Sequence, residues 1–530
     1  MPSSNLDQPR TPGEEGVNQV FVFLAIAAVA LVLRLVFFTG VLGSDDVFHA
    51  GGALRLLEQG FSVPEGHHGA RFGLFLPVAP IFFFFGVGDW QMAIYPLVLD
   101  LLSIWLAWRL GTMFANARVG LLAAGCLAVF PLDIMEASRL SPDLPLGAMM
   151  ALAIYLIMRA DGSPNRIIWS ICSGLAWGWA YLIKIEAGIL GVVFLALFFT
   201  DMRKWFLPVA IAMFIAAGFV AVETLLYFMH TDIFLYRLKQ IGGGSLMNEA
   251  YSLTQLSVFP KKWFVTIYLF GLHYYFLFAG LLWILFSRKS SMLVPMIWVV
   301  IFLIWLQFGF NPMVGFIGFK TKLARYCSML TVPAMIVIAF LFDECLRRFS
   351  RWIPYSLIGA ALFASVFFIN FNQLNLEREV STKKALALAL KNNWFPLHLD
   401  AASHEFARFL WQGSKNVERI FSLQVHDFKA GKTQLTDLRS IDGYLLVNRM
   451  FMVHKNRRYS MEMVDLDLAD EIGEIVATID NPMPALAYRQ AEFLSQLSRP
   501  LPSLHKRIST TVDDVLKGQD VVVYRLQSKK

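Results

Sequence analysis

The chain has 530 residues, 57% hydrophobic and only 16% charged, with a formal net charge of +7 and a mean hydropathy of +0.55. Such a balance excludes an ordinary soluble domain and a disordered chain; repeated long apolar runs mark membrane spans. The positive excess suits anionic headgroups or phosphates, with no nucleic-acid partner expected, and the four cysteines, all in or beside apolar runs, imply no disulfide framework.

Residues 1–16 are polar and rich in Pro and Gly, and are expected to be a disordered tail. The next run is too long for a signal-peptide core and lacks a small-residue cleavage pattern, so it is read as a retained first span. Runs long enough to cross a bilayer fall at about 17–39, 91–114, 119–135, 144–159, 167–184, 187–201, 205–229, 263–287, 291–310, 326–345 and 352–370. The segment "FGLFLPVAPIFFFFGVG" (72–88) is short and holds two prolines. It is read as re-entrant or surface-lying, which makes the downstream charges consistent.

With eleven spans, one set of turns is short and basic: Arg109/Arg118, Arg159/Arg166, Arg203/Lys204, Arg288/Lys289 and Arg347/Arg348/Arg351. The positive-inside rule puts these in the cytoplasm. The opposite side also carries Lys and Arg, but in longer loops of mixed sign, where the rule is weak. The outer side then holds the 40–90 loop, the 136–143 turn, the 311–325 loop and everything after 371. In that tail, "DAASHEFARFLWQ" (400–412) predicts an amphipathic helix opened by Asp400, and "ERIFSLQV", "DGYLLVNRMFMV" and "DVVVYRL" predict strands. The expected fold is mainly α: a polytopic helical bundle of about eleven spans plus juxtamembrane helices. The expected divisions are 1–16, a membrane catalytic domain over 17–370 containing the 40–90 loop, and a small extracytoplasmic α/β domain over 371–530.

Four polar clusters fall on the outer side. "GSDDVFHAGGALRLLEQG" (43–60) places Asp45 and Asp46 at the mouth of the first span. Ser44 can cap a helix there, and acids suit its first turn. Val47, Ala50, Leu54 and Leu57 form an apolar stripe, leaving His49, Arg55 and Glu58 towards water. "PLDIMEASRLSPDLP" (131–145) carries Asp133, Glu136, Arg139 and Asp143; Asp143 either caps the next helix or serves function. "YLIKIEAG" (181–188) carries Lys184 and Glu186, for which mutual pairing at the interface is the simpler account. "GFKTKLARYCSMLTVP" (318–333) carries Lys320, Lys322, Arg325 and Tyr326, residues that bind phosphate or anchor at an interface. "HHGARFGLFLP" adds His67, His68 and Arg71; the adjacent histidines have no further ligands nearby in sequence, so no metal is expected, and a divalent ion has no support in the sequence.

These segments, with "GLLAAGCLAVFPLDIMEASRLSPDLPLGAMMALAIYL", "GLAWGWAYLIKIEAGIL" and "KLARYCSMLTVPAMIVIAF" in that order, resemble the GT-C glycosyltransferases. The nearest branch is the bacterial part of the protein O-mannosyltransferase and aminoarabinose-transferase superfamily. The resemblance covers roughly the first 370 residues and implies a GT-C membrane domain. It implies transfer of a sugar from a polyprenyl-phosphate donor, with inversion, at the outer face of the bacterial inner membrane. The acceptor is a glycan, lipid or protein, and the active site and tail face the periplasm. The family's first catalytic acid falls on Asp45, with Asp46 as its neighbour. The second falls on Asp143, with Glu136 as a rival and Arg139 beside it. The family's basic residue ahead of a Pro-containing segment falls on Arg71, and its late Arg-Tyr pair on Arg325 and Tyr326. The Lys-Pro-Pro pattern of the aminoarabinose transferases and the MIR insert of the mannosyltransferases are absent.

The residue types suit the chemistry. A carboxylate at Asp45 can take the acceptor's proton as general base. Arg71 and Arg325, with Lys184, Lys320 and Lys322 as weaker candidates, can balance the charge of the departing lipid phosphate. A transporter or flippase of lipid-linked or small substrates is the alternative. It predicts repeat symmetry and paired charges at mid-membrane, whereas Asp100 and Glu223 are the only deep acids and no repeat is visible.

Overall fold

The computed structural model describes residues 12–41, 45–63, 69–245, 271–308, 324–350 and 352–376, most of 378–448, then 466–480, 485–500, a few positions between 502 and 509, and 521–526. Ser44, His67, His68, Lys320 and Lys322, named above, lie outside the described residues. Helices dominate. The chain runs through α1 (Pro12–Val36), α2 (Asp45–Gln59), α3 (Phe72–Phe75), α4 (Val78–Phe85), α5 (Asp89–Phe114), α6 (Ala117–Ala128), α7 (Pro131–Glu136), α8 (Asp143–Arg159) and α9 (Arg166–Ile183). It continues through α10 (Leu190–Thr200), α11 (Met202–Thr231), α12 (Tyr236–Ser245), α13 (His273–Ser287), α14 (Leu293–Phe308), α15 (Thr331–Arg348) and α16 (Trp352–Leu376).

Two compact units result: one comprises 1–38, 59–77 and 93–368, the other 39–58, 78–92 and 369–530. In the first, α9 packs on α8 and α11, α15 on α6 and α13, and α1 on α6. Its core is aliphatic and aromatic, with Phe130, Phe194, Trp298, Phe302 and Phe342 fully buried. Among the described residues, four helical stretches are long and apolar enough to cross a membrane: 18–36, 89–114, 202–231 and 325–348. Other apolar helices are shorter. The run expected at 119–135 is one of these: α6 stops at Ala128 and α7 restarts at Pro131, because proline has no N–H for a helix interior and favours a first turn. Likewise α1 opens at Pro12, inside the segment expected to be disordered. Proline suits that first turn. In the 72–88 segment, α3 has 4 residues and α4 has 8. At about 1.5 Å per residue neither approaches the ~30 Å of a bilayer core.

Two contacts draw the short basic turns together. Asp343, buried near the end of α15, receives Arg118 Nη1 at 3.2 Å and Asn116 Nδ2 at 3.0 Å from the α5–α6 turn, and Arg347 at 2.8 Å from its own helix. Lys204 Nζ lies 2.6 Å from Asp161, joining the α8–α9 turn to the start of α11.

The second unit contains α17 (Arg378–Lys391), α18 (Ala401–Leu410), α19 (Leu466–Ile472) and α20 (Ala485–Ser498). Its strands are β1 (Leu397–Leu399), β2 (Ile420–Ser422), β3 (Gln424–Asp427), β4 (Lys432–Leu435), β5 (Gly443–Asn448), β6 (Gly473–Ile479) and β7 (Val521–Leu526). Five of them form a mixed sheet in the order β2-β1-β5-β7-β6. β1 is parallel to β2 and β5, and β7 is antiparallel to β5 and β6. Val521 to Tyr524 are all buried, the pattern of a strand covered on both faces. Asp400 caps α18 as its sequence predicts, accepting the Ser403 N–H at 3.0 Å. Segments of the first loop belong to this unit. Asp89 accepts Lys383 Nζ at 2.8 Å and the Val41 N–H at 3.2 Å, and Gln412 donates to Glu58 at 2.7 Å.

Candidate active site

The first unit assembles a charged cluster from distant segments. α8 opens at Asp143, whose side chain is fully buried. α9 ends at Ile183, and Lys184 then turns extended, with φ −157° and ψ 138°, while its N–H still reaches Ala180 O at 3.0 Å. That turn aims the Lys184 ammonium at Asp143 Oδ1, 2.9 Å away, and at Glu186 Oε1, 3.3 Å away. A third segment, the 3-10 turn Ala324–Leu330, carries Arg325, whose Nε lies 3.5 Å from Asp143 Oδ2. Lys184 Nζ also stands 4.3 Å from the centre of the Tyr326 ring, a cation–π contact. Arg71, immediately ahead of α3, is near enough for its charge to act on Lys184. Two cations thus meet two carboxylates, and Arg71 in electrostatic range adds a third positive charge, in surroundings where charge is weakly screened.

The site residues read from the sequence divide accordingly. Asp143, Lys184, Glu186, Arg325 and Tyr326 meet, with Arg71 in electrostatic range. Lys184, placed among the weaker candidates by its sequence, sits at the centre. Glu136 is engaged differently: Arg139 Nη1 donates to its Oε1 at 2.7 Å, an i,i+3 pair at the end of α7 with both side chains buried. Asp133 is buried on the same short helix.

In the second unit, Asp45 opens α2 half-buried, and Asp46 is fully buried. The expectation that His49 faces water is corrected: His49 is fully buried, while Arg55 and Glu58 are exposed. The buried arc is wider than the Val47-Ala50-Leu54 stripe because Ala50, Gly52 and Ala53 are small enough for that side of the helix to be covered closely. Leu57, assigned to the stripe, is 42% exposed.

Two buried pairs escaped the sequence reading. Arg34 of α1 forms an ion pair with Asp100 of α5 and donates to Ala128 O at 2.6 Å and Leu127 O at 3.4 Å, capping the end of α6. Arg237 of α12 donates to both oxygens of Glu223 on α11, at 2.9 and 3.1 Å. The available signal was a lone charge inside an apolar run, which implies a partner of opposite sign in another run. Among the described residues, no three His, Cys, Asp or Glu side chains gather as a metal site.

A family model described as dolichyl-phosphate-mannose-protein mannosyltransferase matches residues 78–228. No curated protein matches the chain. The structure of ArnT from Cupriavidus metallidurans bound to undecaprenyl phosphate is 16% identical, with a TM-score of 0.51 over 74% of this chain and 74% of that one. The archaeal oligosaccharyltransferase AglB from Archaeoglobus fulgidus, in complex with an inhibitory peptide and a dolichol-phosphate, is 10% identical. Its TM-score is 0.53, over 97% of this chain and 89% of that one. At these identities the shared property is the fold. The chain therefore has the fold of the GT-C glycosyltransferases, and over residues 78–228 it is similar to the mannosyltransferase family model.

Proposed function

We propose that this protein is an inverting glycosyltransferase that moves a sugar from a polyprenyl-phosphate donor to an acceptor at the outer face of a bacterial inner membrane. The observation that carries the reading is the meeting of Asp143, Lys184 and Arg325, with Arg71 in electrostatic range, at segment ends. Such a cluster suits one substrate feature above all, a phosphate whose negative charge grows during the reaction. The donor is a phosphodiester with one negative charge, matching the one positive charge left over in the cluster. When the bond from the anomeric carbon to the phosphate oxygen breaks, the leaving group gains a second charge, and fixed cations stabilise that change. Lys184 is a compact donor and Arg325 a planar fork. Asp143 holds both in place before the donor arrives, and its charge also favours the cationic character that develops on the sugar.

The acceptor hydroxyl or amine attacks the anomeric carbon from the opposite side and must lose a proton. Asp45 is assigned as the carboxylate that takes it, a role that rests on its position in the family's pattern and on its half-buried place at the start of α2. Asp46 supports it. The acceptor is an envelope glycan, lipid or protein, and the tail after 371 lies on the periplasmic side.

The test is transfer by the purified protein in lipid nanodiscs. Labelled polyprenyl-phosphate sugars are supplied with an acceptor extract from the same cell envelope. Label should move with wild type and fail to move with Asp45→Asn; label transfer by a folded Asp45→Asn protein sinks the assignment of the base. A reporter active only outside the cytoplasm, fused after residue 375, tests the orientation, and an inactive fusion overturns it.

A further inference from the structure

Two glycines lie next to the cations of the cluster, and each is at a place where no side chain fits. Gly73 is two residues beyond Arg71. A Cβ there would stand 2.7 Å from Ile183 N and 2.9 Å from Leu182 C, the backbone just ahead of Lys184. Gly147 is one helical turn beyond Asp143. A Cβ there would stand 2.6 Å from Ser328 O and 3.1 Å from Met329 Cα, in the turn that carries Arg325. At both places the obstacle is backbone, which cannot rotate away as a side-chain tip does.

The approach at Gly73 is braced from behind. The Tyr95 hydroxyl donates to Gly73 O at 2.8 Å and accepts from Trp179 Nε1 at 3.2 Å, clamping the start of α3 against α9. On the same stretch, Arg237 Nη2 donates to Leu182 O at 3.3 Å while its other amino group is held by Glu223. The buried Glu223–Arg237 pair therefore ends on the carbonyl two residues before Lys184.

We infer that Gly73 and Gly147 are positioning residues for the donor phosphate: their backbone contacts set how far Arg71 and Arg325 stand from Lys184 and Asp143. This rests on the reading of the cluster as the phosphate site. A methyl group at Gly73 would force the Arg71 segment away from Lys184, and one at Gly147 would force the Arg325 turn away from Asp143. Contact distances under 3.0 Å require a shift of several tenths of an ångström, and charge-assisted contacts to a phosphate are sensitive to shifts of that size.

The experiment is a pair of double-mutant cycles, Gly73→Ala with Arg71→Ala and Gly147→Ala with Arg325→Ala, reading donor KM, acceptor KM and binding of a polyprenyl-phosphate analogue in nanodiscs. Each glycine variant should raise donor KM roughly tenfold or more and leave acceptor KM within about twofold. Combined with loss of its arginine, each should add little, because the misplaced group is already gone. Restricting the measurement to protein that elutes as a single folded species in gel filtration removes misfolded material, and non-additivity separates positioning from general weakening. Independent, additive losses, or equal losses of donor and acceptor KM, overturn the inference while leaving the phosphate site standing. If Arg71→Ala and Arg325→Ala themselves leave analogue binding unchanged, the phosphate reading falls and the inference falls with it.

Discussion

Beside each end of α15 a buried aspartate is faced by two cations, Asp143 of α8 at one end and Asp343 of α15 itself at the other, yet the two arrangements differ in kind. At the C-terminal end, Asp343 is clasped by Arg118 and Arg347, whose side chains are 60% and 52% exposed, and one of them is its own i+4 neighbour. At the N-terminal end, Asp143 is faced by Lys184, only 10% exposed, and Arg325, 17% exposed, brought from segments far apart in the chain. Exposed arginines keep most of their hydration, so the Asp343 clasp costs little to form and contributes little beyond tying two turns together. Burying Lys184 strips its hydration, and the fold has to compensate with Asp143, Glu186 and the Tyr326 ring. A charge held at that cost, at the end of an apolar bundle, is a candidate for function, whereas the clasp needs only a structural explanation.

The comparison can be broken most directly at the reacting groups. Asp45→Asn keeps shape and polarity but cannot accept a proton, so transfer should fall by roughly two to four orders of magnitude in the nanodisc assay. Lys184→Met removes the cation at the centre of the N-terminal cluster; turnover should fall on the order of 100-fold. If Lys184→Met transfers normally, the two ends of α15 are equivalent after all, and both are structural. Arg325→Lys keeps the charge and loses the fork. Donor KM should rise about tenfold with acceptor KM unchanged, and a fall in expression alone would instead make Arg325 an interfacial anchor.

The opposite end sharpens the contrast through its silence. Asp343→Asn should leave both KM values and kcat within about twofold and reduce stability by roughly 1 kcal/mol, read as a lower thermal midpoint in detergent. The smallest effect is expected in the tail. Burial pushes the His398 imidazole on β1 below its ordinary range, outweighing the Asp442 backbone contact that raises it. The folded state then favours the neutral ring, and the unfolded chain takes up the proton more readily. Stability is present above the unfolded pKa of about 6.5 and is lost as pH falls through it towards the lower folded value. The protection of the β1 amides, after division by the intrinsic exchange rate at each pH, should fall between pH 7 and pH 5, and His398→Gln should remove that fall.

What was legible in the sequence was whatever depends on neighbours along the chain. Asp400 opening α18, the continuous apolar run that makes β7, and the acids that open α2 are all local patterns. Asp143, Arg325 and Tyr326, singled out by the order of the motifs along the chain, do come together in the structure. The central place of Lys184 in the cluster was not legible, because it comes from a partner 41 positions away that no periodicity announces. His49 was misplaced because the stripe rule counts large apolar residues, whereas the small Ala50, Gly52 and Ala53 decide how closely that side of α2 is covered. The Arg34–Asp100 pair spans 66 positions and was missed for the same reason as the Lys184 contact.

That pair also sets an order of events in the making of the protein. Arg34 draws its partners from residue 30, from residue 100 and from the carbonyls at 127 and 128. When α1 first leaves the ribosome, none of the later groups exists, and Arg34, the one charge in its apolar run, must stretch to the membrane surface. Only after some ninety further residues have been synthesised is the guanidinium fully matched. The expected consequence is that the first helix settles to its final depth only after those partners have been made. A cysteine replacing Phe38 should react with a water-soluble maleimide in nascent chains stopped before residue 100, and become protected once the chain extends past 128.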